Sequence, residues 1–324
     1  MQYRRLGHCG LQVSALSLGT WVTFAGVLSR NQARDLVASA YDGGINLFDS
    51  AENYAFGAAE ALLGDVLADL RLPRDGYCVS SKAYFGPVAA PRPTQRGLSR
   101  KHLRDACDAA LRRLRVDYLD LFFCHRPDPE TPIEETVLAM DQLVRAGKVL
   151  YWGTSEWPAD QIQAATRFAR HHDLAAPSTE QAGYNLLQRE RVELEYASLY
   201  DELGLGLTTW SPLASGLLSG KYAQGQVPEN SRLARADNGW QASMMYRNQR
   251  NDREQAVARL VQVAQDGGCS PAALAIAWCL RNPKVSSVIL GCSSPAQLQE
   301  NLGALALAER IDRSLLARLD AIAV

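Results

Sequence analysis

The sequence lacks any long hydrophobic run. It has 324 residues, of which 47% are hydrophobic, yet its apolar runs are strand-sized and fall well short of the roughly 20 residues that a membrane-spanning helix needs. The opening segment Met1–Gly7 also lacks the apolar stretch of about 7–15 residues that marks a secretory signal peptide. We therefore expect no membrane insertion and a location in the cytoplasm.

A surplus of charge of either sign is missing too. The chain has 34 Lys and Arg residues against 35 Asp and Glu residues, which gives a formal net charge of −1. A protein that binds nucleic acid usually needs a basic surplus or stripe to neutralise phosphates. The composition therefore argues against a nucleic-acid partner.

The cysteines lack the spacing of a metal site or of a redox motif. There are seven, an odd number, with no Cys-x-x-Cys pair and no His/Cys pairs at zinc spacing. Free thiols in a reducing compartment are the expected state. We predict no metal site.

What the sequence does contain is an alternation of two kinds of segment. Short apolar runs of strand length recur along the chain, and we predict strands at Leu16–Leu18, Ile45–Phe48, Tyr77–Val79, Tyr118–Phe123, Val149–Trp152, Ser178–Gln181, Leu205–Trp210 and Val285–Leu290. Longer segments with apolar residues three and four apart lie between them, and we predict helices at Asn31–Asp42, Ala58–Leu70, Ser99–Leu114, Ile133–Arg145, Pro158–Arg170, Val192–Leu203, Arg253–Asp266 and Pro295–Leu307.

Eight strands that are each followed by a helix imply parallel strands joined by crossover connections. A doubly wound sheet is the competing arrangement, but its Gly-x-Gly-x-x-Gly dinucleotide fingerprint is absent after every candidate strand. We therefore predict an α/β fold, a (β/α)8 or TIM barrel, as a single domain over residues 1–324. An extra helix is expected at Pro271–Arg281, and a terminal one at Asp312–Ala323.

Titratable residues follow three consecutive predicted strands. Asp49 ends the second strand, Tyr54 lies five residues later, Lys82 follows the third strand and His125 follows the fourth. Each alone has a structural interpretation: a helix cap, a packed ring, a solvated amine and a satisfied core histidine. In this barrel, however, chemistry takes place at the C-terminal ends of the strands, and four such residues are unlikely to gather there by chance.

These four residue types suit one reaction. Reduction of a carbonyl by hydride transfer leaves an alkoxide that needs a proton, so a general acid must stand beside the oxygen. Tyr54 is the candidate acid, and the Lys82 ammonium is expected to lower its pKa from about 10. Asp49 is expected to pair with Lys82, while His125 would donate a hydrogen bond to the carbonyl oxygen.

The run Gly43–Tyr54 resembles the signature of the aldo-keto reductase superfamily, and the match extends over nearly the whole chain. The likeness is strongest to the branch of the voltage-gated potassium channel β subunits and their bacterial relatives. It is carried by Leu18–Phe24, Arg126–Pro129, Tyr151–Ser155 and Trp210–Ala214.

By this resemblance Asp49, Tyr54, Lys82 and His125 form a catalytic tetrad. The channel subunits have Asn where this chain has His125, whereas ordinary aldo-keto reductases have His. That difference favours turnover of a substrate over sensing alone.

The resemblance also implies a nicotinamide dinucleotide, NADPH or NADP+, that lies extended across the barrel mouth. The residues it assigns to the cofactor are Thr20, Trp21, Asp49, Ser155, Gln181, Trp210, Ser211, Pro212, Leu213, Ala214, Lys221, Arg232, Gly291, Ser293, Gln297, Glu300 and Asn301. Ser155 and Gln181 would hold the carboxamide, and Trp210 would stack under the nicotinamide ring, although without the motif it could equally be core packing. Glu156 stands where channel subunits carry Arg, so it is left off this set.

The last strand runs into a segment that predicts a helix start. Ser294 is a candidate N-cap, Pro295 the first helical residue and Gln297 the third, which is the pattern of a capping box. A helix N-terminus after strand eight is also a phosphate site, and the resemblance puts the adenosine and its 2′-phosphate there. Many aldo-keto reductases carry Arg or Lys here and this chain does not; NADPH is nevertheless the expected cofactor.

Two functions remain open at this point. The first is an NADPH-dependent reductase of small aldehydes and ketones, and the second is a redox-sensing partner that docks on a channel. The chain starts almost at the first strand, so no inactivating N-terminal segment is expected, but docking without one stays open. Relatives in this branch are often tetramers or other oligomers, so a homo-oligomer is one expectation. The substrate site is expected to have an apolar, partly aromatic mouth, although the same side chains could equally pack in the core: Tyr84, Phe85, Trp157, Trp21 and Met244–Tyr246.

Overall fold

The computed structural model describes residues 1–222, 234 and 251–323. Eight parallel strands close into a barrel in which each strand pairs with its neighbour in sequence, and the last pairs with the first. These strands are β3 Leu16–Gly19, β4 Leu47–Asp49, β5 Cys78–Ala83, β6 Leu119–Cys124, β7 Val149–Ser155, β8 Thr179–Gly183, β9 Gly206–Trp210 and β10 Val285–Leu290. The barrel closes where Leu290 pairs with Leu18. The predicted (β/α)8 barrel is confirmed.

Helices connect the strands on the outside of the barrel. They are α1 Arg30–Asp42, α2 Ala58–Leu70, α3 Arg100–Leu114, α4 Ile133–Arg145, α5 Ala159–His171, α6 Ala197–Leu203, α7 Asn251–Asp266, α8 Pro271–Arg281, α9 Pro295–Leu302, α10 Ala304–Arg310 and α11 Arg313–Asp320. In α1, Ser29 Oγ accepts a hydrogen bond from the Gln32 backbone and Gln32 Oε1 accepts one from the Ser29 backbone, so a capping box fixes the start of the helix. The extra helix α8 has the predicted bounds.

Two predicted helices are each divided in the structure. The segment predicted as Val192–Leu203 begins with a π-helical turn, Arg191–Glu195, before α6. The segment predicted as Pro295–Leu307 is interrupted at Gly303, which separates α9 from α10. Apolar spacing alone does not reveal such breaks, because both pieces bury residues toward the same core.

An antiparallel hairpin that the sequence did not predict closes the bottom of the barrel. Its strands are β1 Tyr3–Arg5 and β2 Gln12–Ser14. Leu6 and Val13 from the hairpin region pack into one buried cluster with Leu47, Leu121 and Phe123 from the barrel strands. The N-terminal end of the barrel is therefore sealed by apolar side chains.

All seven cysteines are free thiols, as expected. Within residues 1–222, 234 and 251–323, no helix is both long and apolar enough to cross a membrane.

Candidate active site

Four titratable side chains meet at the C-terminal end of the barrel. Asp49 is the last residue of β4, Lys82 lies near the end of β5, His125 follows β6 and Tyr54 lies in the turn after β4. The ammonium nitrogen Nζ of Lys82 donates to Asp49 Oδ2 at 2.6 Å and to Tyr54 OH at 3.1 Å. The rings of Tyr54 and His125 meet edge to face with centroids 5.8 Å apart. The structure brings together all four residues that the sequence singled out.

The turn that carries Tyr54 has an unusual backbone. The two residues that follow it, Ala55 and Phe56, have φ values of +47° and +54°. These lie in the left-handed region of the backbone, which residues other than Gly seldom adopt. Such conformations cluster at functional sites, because surrounding structure must hold them in place. Here the turn directs the Tyr54 hydroxyl back onto Lys82.

The Asp49 carboxylate receives hydrogen bonds on both oxygens. Ser80 Oγ donates to Oδ1 at 2.7 Å and Gln181 Nε2 donates to the same oxygen at 3.1 Å, while Lys82 takes Oδ2. Lys82 also donates to the backbone oxygen of Ser50 at 2.7 Å. The buried Lys82–Asp49 ion pair is thus fully held by protein groups. Sequence reasoning did not identify Ser80, although it lies two residues before Lys82 on the same face of β5.

Burial and neighbouring charges set the protonation states. Burial alone would lower the pKa of Lys82, but Asp49 and Tyr54 outweigh it and the pKa is raised, so Lys82 is cationic. The pKa of Tyr54 is raised above 10, chiefly because burial disfavours the phenolate and the opposing effect of Lys82 is smaller. Lys82 does lower the pKa of Tyr54, as expected, but burial outweighs it, so the net pKa lies above and not below its usual value.

His125 is a neutral imidazole at pH 7. Burial, with smaller effects of Lys82 and Arg126, holds its pKa well below 6.5. The ring atom Nδ1 is buried and has no hydrogen-bond partner among the described residues. The other ring nitrogen, Nε2, is not such an atom. No hydrogen bond from a described residue engages Nε2, so this nitrogen is the candidate contact for a substrate oxygen.

Two indole rings stand beside the tetrad. Trp210, the last residue of β9, meets Trp21 edge to face with centroids 6.2 Å apart, and Trp21 lies 6.4 Å from the Tyr54 ring. The half-buried Trp210 is held by its indole nitrogen, which donates to Glu156 Oε1 at 3.0 Å. A planar aromatic face fixed in this way suits the stacking of a flat cofactor ring.

Comparison with known proteins agrees with this geometry. Residues 15–324 match the family model described as the aldo/keto reductase family. The chain belongs to the aldo/keto reductase family. It is also 44% identical, over 322 residues that cover 99% of this chain and 96% of the relative, to a protein of Oryza sativa subsp. japonica named "Probable voltage-gated potassium channel subunit beta". Both the superfamily and the branch suggested by the sequence motifs are confirmed.

Membership of the aldo/keto reductases supports an oxidoreductase activity, and the family generally uses NADPH or NADP+. The polar residues at the ends of β7 and β8 fit a nicotinamide carboxamide in type and position. Ser155 Oγ donates to the backbone oxygen of Gln181 at 3.0 Å, so these two buried residues lie side by side next to Asp49. Thr20 Oγ1 contacts Ser50 Oγ at 2.9 Å and stabilises the loop that leads to Tyr54.

Glu156 is a residue of this site that sequence reasoning left out. Its backbone is left-handed, with φ of +58°. Its carboxylate accepts from Trp210 Nε1 and from the Gly183 backbone at 2.6 Å, and it pairs with Arg191. Glu156 therefore positions the Trp210 ring. Its place directly after Ser155, at the end of a barrel strand, was the signal that could have identified it.

The segment after β9 folds into tight turns. Ser211, Ala214 and Ser215 all have positive φ values, and Ser211 Oγ accepts a hydrogen bond from the Ser215 backbone at 3.0 Å. Pro212 and Leu213 lie within these turns, and the exposed Lys221 follows, with its amine 5.0 Å from the Tyr222 ring centre. Concave turns of this kind, with a cation nearby, are typical of anion sites.

Arg232 and Met244–Tyr246 lie outside the described residues.

The start of α9 differs in one detail from the predicted capping box. Ser294 is the N-cap and accepts from the Gln297 backbone at 3.3 Å, as expected. A capping box would also have the Gln297 side chain accept from the Ser294 backbone. It accepts instead from the Ser293 backbone at 3.0 Å, so this part of the prediction is wrong by one residue. Asn301 Nδ2 contacts the sulfur of Cys292 at 3.2 Å.

The exposed Gly291 and Gln297 border this helix N-terminus, which suits a phosphate group, whereas the exposed Glu300 carboxylate in the next turn would repel one. The polar and aromatic residues at the ends of β7, β8 and β9 thus suit the nicotinamide end of a dinucleotide cofactor.

Proposed function

We propose that the protein reduces aldehydes and ketones to alcohols by hydride transfer from NADPH, with Tyr54 as the general acid. The observation that carries the proposal is the buried chain of contacts from Asp49 through Lys82 to the Tyr54 hydroxyl, with Lys82 Nζ at 2.6 Å and 3.1 Å from its two partners. Membership of the aldo/keto reductase family supports the reaction class.

The tetrad can carry the proton step at neutral pH. The raised pKa of Tyr54 keeps its hydroxyl protonated, so a proton is available for an alkoxide that forms beside it. The cationic Lys82 stabilises the phenolate that remains, and Asp49 holds Lys82 in place. His125 donates from Nε2 to the carbonyl oxygen and stabilises the charge that develops there. A bound nicotinamide would supply the hydride to the carbonyl carbon.

We assign the cofactor to the residues that the family resemblance names. Ser155 and Gln181 would hold the carboxamide, and Trp210, positioned by Glu156, would support the ring. The turns after β9 and Lys221 would meet the phosphates, and the start of α9 would meet the adenosine end. This assignment predicts tighter binding of NADPH than of NADH.

Loss of NADPH absorbance with a panel of small aldehydes and ketones tests the proposed reaction. Turnover of several members at saturating NADPH is the expected result, and no turnover of any would contradict it. Quenching of tryptophan fluorescence gives the two cofactor dissociation constants, because Trp210 should report binding; equal affinities for NADPH and NADH would contradict the cofactor preference.

A second candidate function is docking on a membrane channel as a redox-sensing subunit. It is supported by the 44% identity to the protein named a voltage-gated potassium channel subunit beta. Co-purification with a channel protein and turnover too slow to measure would favour this second function. Fast turnover without co-purification would favour the first.

A further inference from the structure

Arg126 lies across the barrel mouth next to the tetrad. It follows His125 at the end of β6, and its side chain is half-buried. Its Nη1 donates to the His125 backbone oxygen and lies 3.4 Å from Ser155 Oγ, while its guanidinium carbon is 5.7 Å from the Phe85 ring centre. The guanidinium therefore spans the mouth from the loop after β5 to the end of β7.

Most of the hydrogen-bonding capacity of Arg126 is unused. Within the described part of the chain, Nη1 is the nitrogen with hydrogen-bond partners. Nε and Nη2 have no hydrogen-bond partner among the described residues. Since neither belongs to the buried polar atoms without a partner, both are accessible from solvent. These two nitrogens form the edge of the guanidinium whose parallel N–H groups match the two oxygens of a carboxylate.

The acidic side chains near the mouth are engaged elsewhere. Asp49 pairs with Lys82 and Glu156 pairs with Arg191. The Asp128 carboxylate accepts from the Leu98 and Glu130 backbones and from Thr131 Oγ1. None of the described acidic side chains forms a salt bridge with Arg126.

The tetrad itself carries no net charge, so Arg126 is the cation that stands beside it. The charges of Asp49 and Lys82 cancel, and Tyr54 and His125 are neutral at pH 7 because their pKa values are raised and lowered respectively. The Arg126 guanidinium remains, and no described acidic side chain forms an ion pair with it, since Asp128 accepts hydrogen bonds from backbone and hydroxyl groups. A half-buried cation without a counter-ion attracts an anion more strongly than the same charge in water would.

We propose that Arg126 determines substrate specificity by binding a carboxylate on the carbonyl substrate, so that the preferred substrates are aldehydes or ketones bearing an acid group. The inference rests on the proposed reductase function. Phe85 borders both residues: its ring centroid is 5.2 Å from that of His125 and 5.7 Å from the guanidinium carbon of Arg126. A flat or apolar body that joins the carbonyl to the carboxylate would therefore pack on Phe85.

A matched pair of substrates tests the proposal. The compounds are 4-formylbenzoate and its methyl ester, which differ in charge but share the aldehyde and the ring. We expect the wild-type enzyme to have the higher kcat/KM for the acid. In R126Q the ratio of kcat/KM for acid over ester should fall about 10–100-fold, the usual worth of hydrogen bonds to a charged group.

Two further variants separate the carboxylate contact from other effects. R126K keeps the charge but loses the flat two-nitrogen edge, so its ratio should lie between those of wild type and R126Q. R104Q removes a positive charge from the exposed face of α3 and should leave the ratio unchanged. Thermal unfolding and NADPH affinity show whether each variant is folded, and R126K carries the test if R126Q is not.

The outcomes distinguish this inference from the function on which it rests. If wild type reduces neither compound, nor any member of the carbonyl panel, both proposals fail. If wild type reduces the ester and Arg126 variants lose acid and ester activity equally, Arg126 merely supports His125 and this inference alone is overturned. An unchanged ratio in R126K and R126Q overturns it as well.

Discussion

At its N-terminal end the barrel is filled by apolar side chains, whereas at its C-terminal end the same strands carry ionisable ones. On β4 the inward positions change from Leu47 to Asp49, two residues apart. On β5 they change from Cys78 to Lys82, and after β6 from Phe123 to His125. The alternation of side chains along a strand keeps these positions on one face. Each strand therefore supplies stability at one end and chemistry at the other.

The two ends tolerate burial for different reasons. Leu121 and Phe123 are fully buried in the apolar cluster under the hairpin and are stabilised by their removal from water. Lys82 is just as fully buried, but it keeps its charge because Asp49, Ser50 and Tyr54 all accept hydrogen bonds from it. The apolar end should therefore respond to mutation through stability, and the polar end chiefly through activity.

The largest expected effect is that of Lys82→Met. It removes the cation that stabilises the Tyr54 phenolate, so carbonyl reduction should fall by about 10²–10⁴. It also leaves the buried Asp49 carboxylate unpaired, which should destabilise the protein by about 3–5 kcal/mol. Urea unfolding and steady-state kinetics measure the two effects. The double variant with Asp49→Asn should recover stability but not activity; recovery of neither stability nor activity would show that the ion pair does not account for the loss of stability.

His125→Asn should have the next largest effect. The loss of a donor to the developing oxyanion typically lowers the rate by about 10²–10³. NADPH affinity should stay nearly unchanged, because His125 is proposed to act on the substrate oxygen. Kinetics with good substrates and a fluorescence titration check both points, and wild-type kinetics in the variant would make His125 a structural residue.

Leu121→Ala tests the opposite end of the barrel. Truncation of a fully buried Leu typically costs about 2–5 kcal/mol of stability. Because Leu121 lies in the cluster under the hairpin, kcat/KM measured well below the melting temperature should match wild type. A large loss of activity in a folded Leu121→Ala protein would show that the two ends are not independent.

The smallest effect concerns pH. His125 has a folded pKa well below its unfolded value near 6.5, so its contribution to stability is fully present above about pH 6.5 and is lost as pH falls toward the folded pKa. The loss is at most about 1.4 kcal/mol per pH unit. Unfolding free energies at pH 7 and pH 5 should therefore differ less in His125→Asn than in wild type. An identical difference would mean that the folded imidazole takes up its proton over the same pH range as in the unfolded chain.

The barrel and its tetrad were predictable because they depend on local patterns. Alternating strand-length and helical runs determine the fold class, and polar residues at strand ends identify the active face. The hairpin was missed because each of its strands is three residues long, with Tyr3 and Arg5 exposed. No hydrophobic pattern of that length stands out from a loop.

Other features depend on contacts that the sequence does not display. The raised pKa of Tyr54 reflects burial among residues from several strands. The hydrogen bond from Trp210 to Glu156 connects residues 54 positions apart in the sequence, so it forms only in the closed barrel. Gln297 turns to Ser293 and not to Ser294, a choice between neighbouring donors that the capping-box pattern does not make.

The most direct test of the central claim is Tyr54→Phe, which keeps the ring and removes the acid. The measurement is kcat/KM for an aliphatic aldehyde and for an ortho-quinone, together with the NADPH dissociation constant. Aldehyde reduction should fall by about 10²–10⁴, and quinone reduction should fall less, because its oxyanion is already stabilised. NADPH affinity should barely change. Wild-type reduction of the aliphatic aldehyde by Tyr54→Phe would contradict the account and remove Tyr54 as the proton donor.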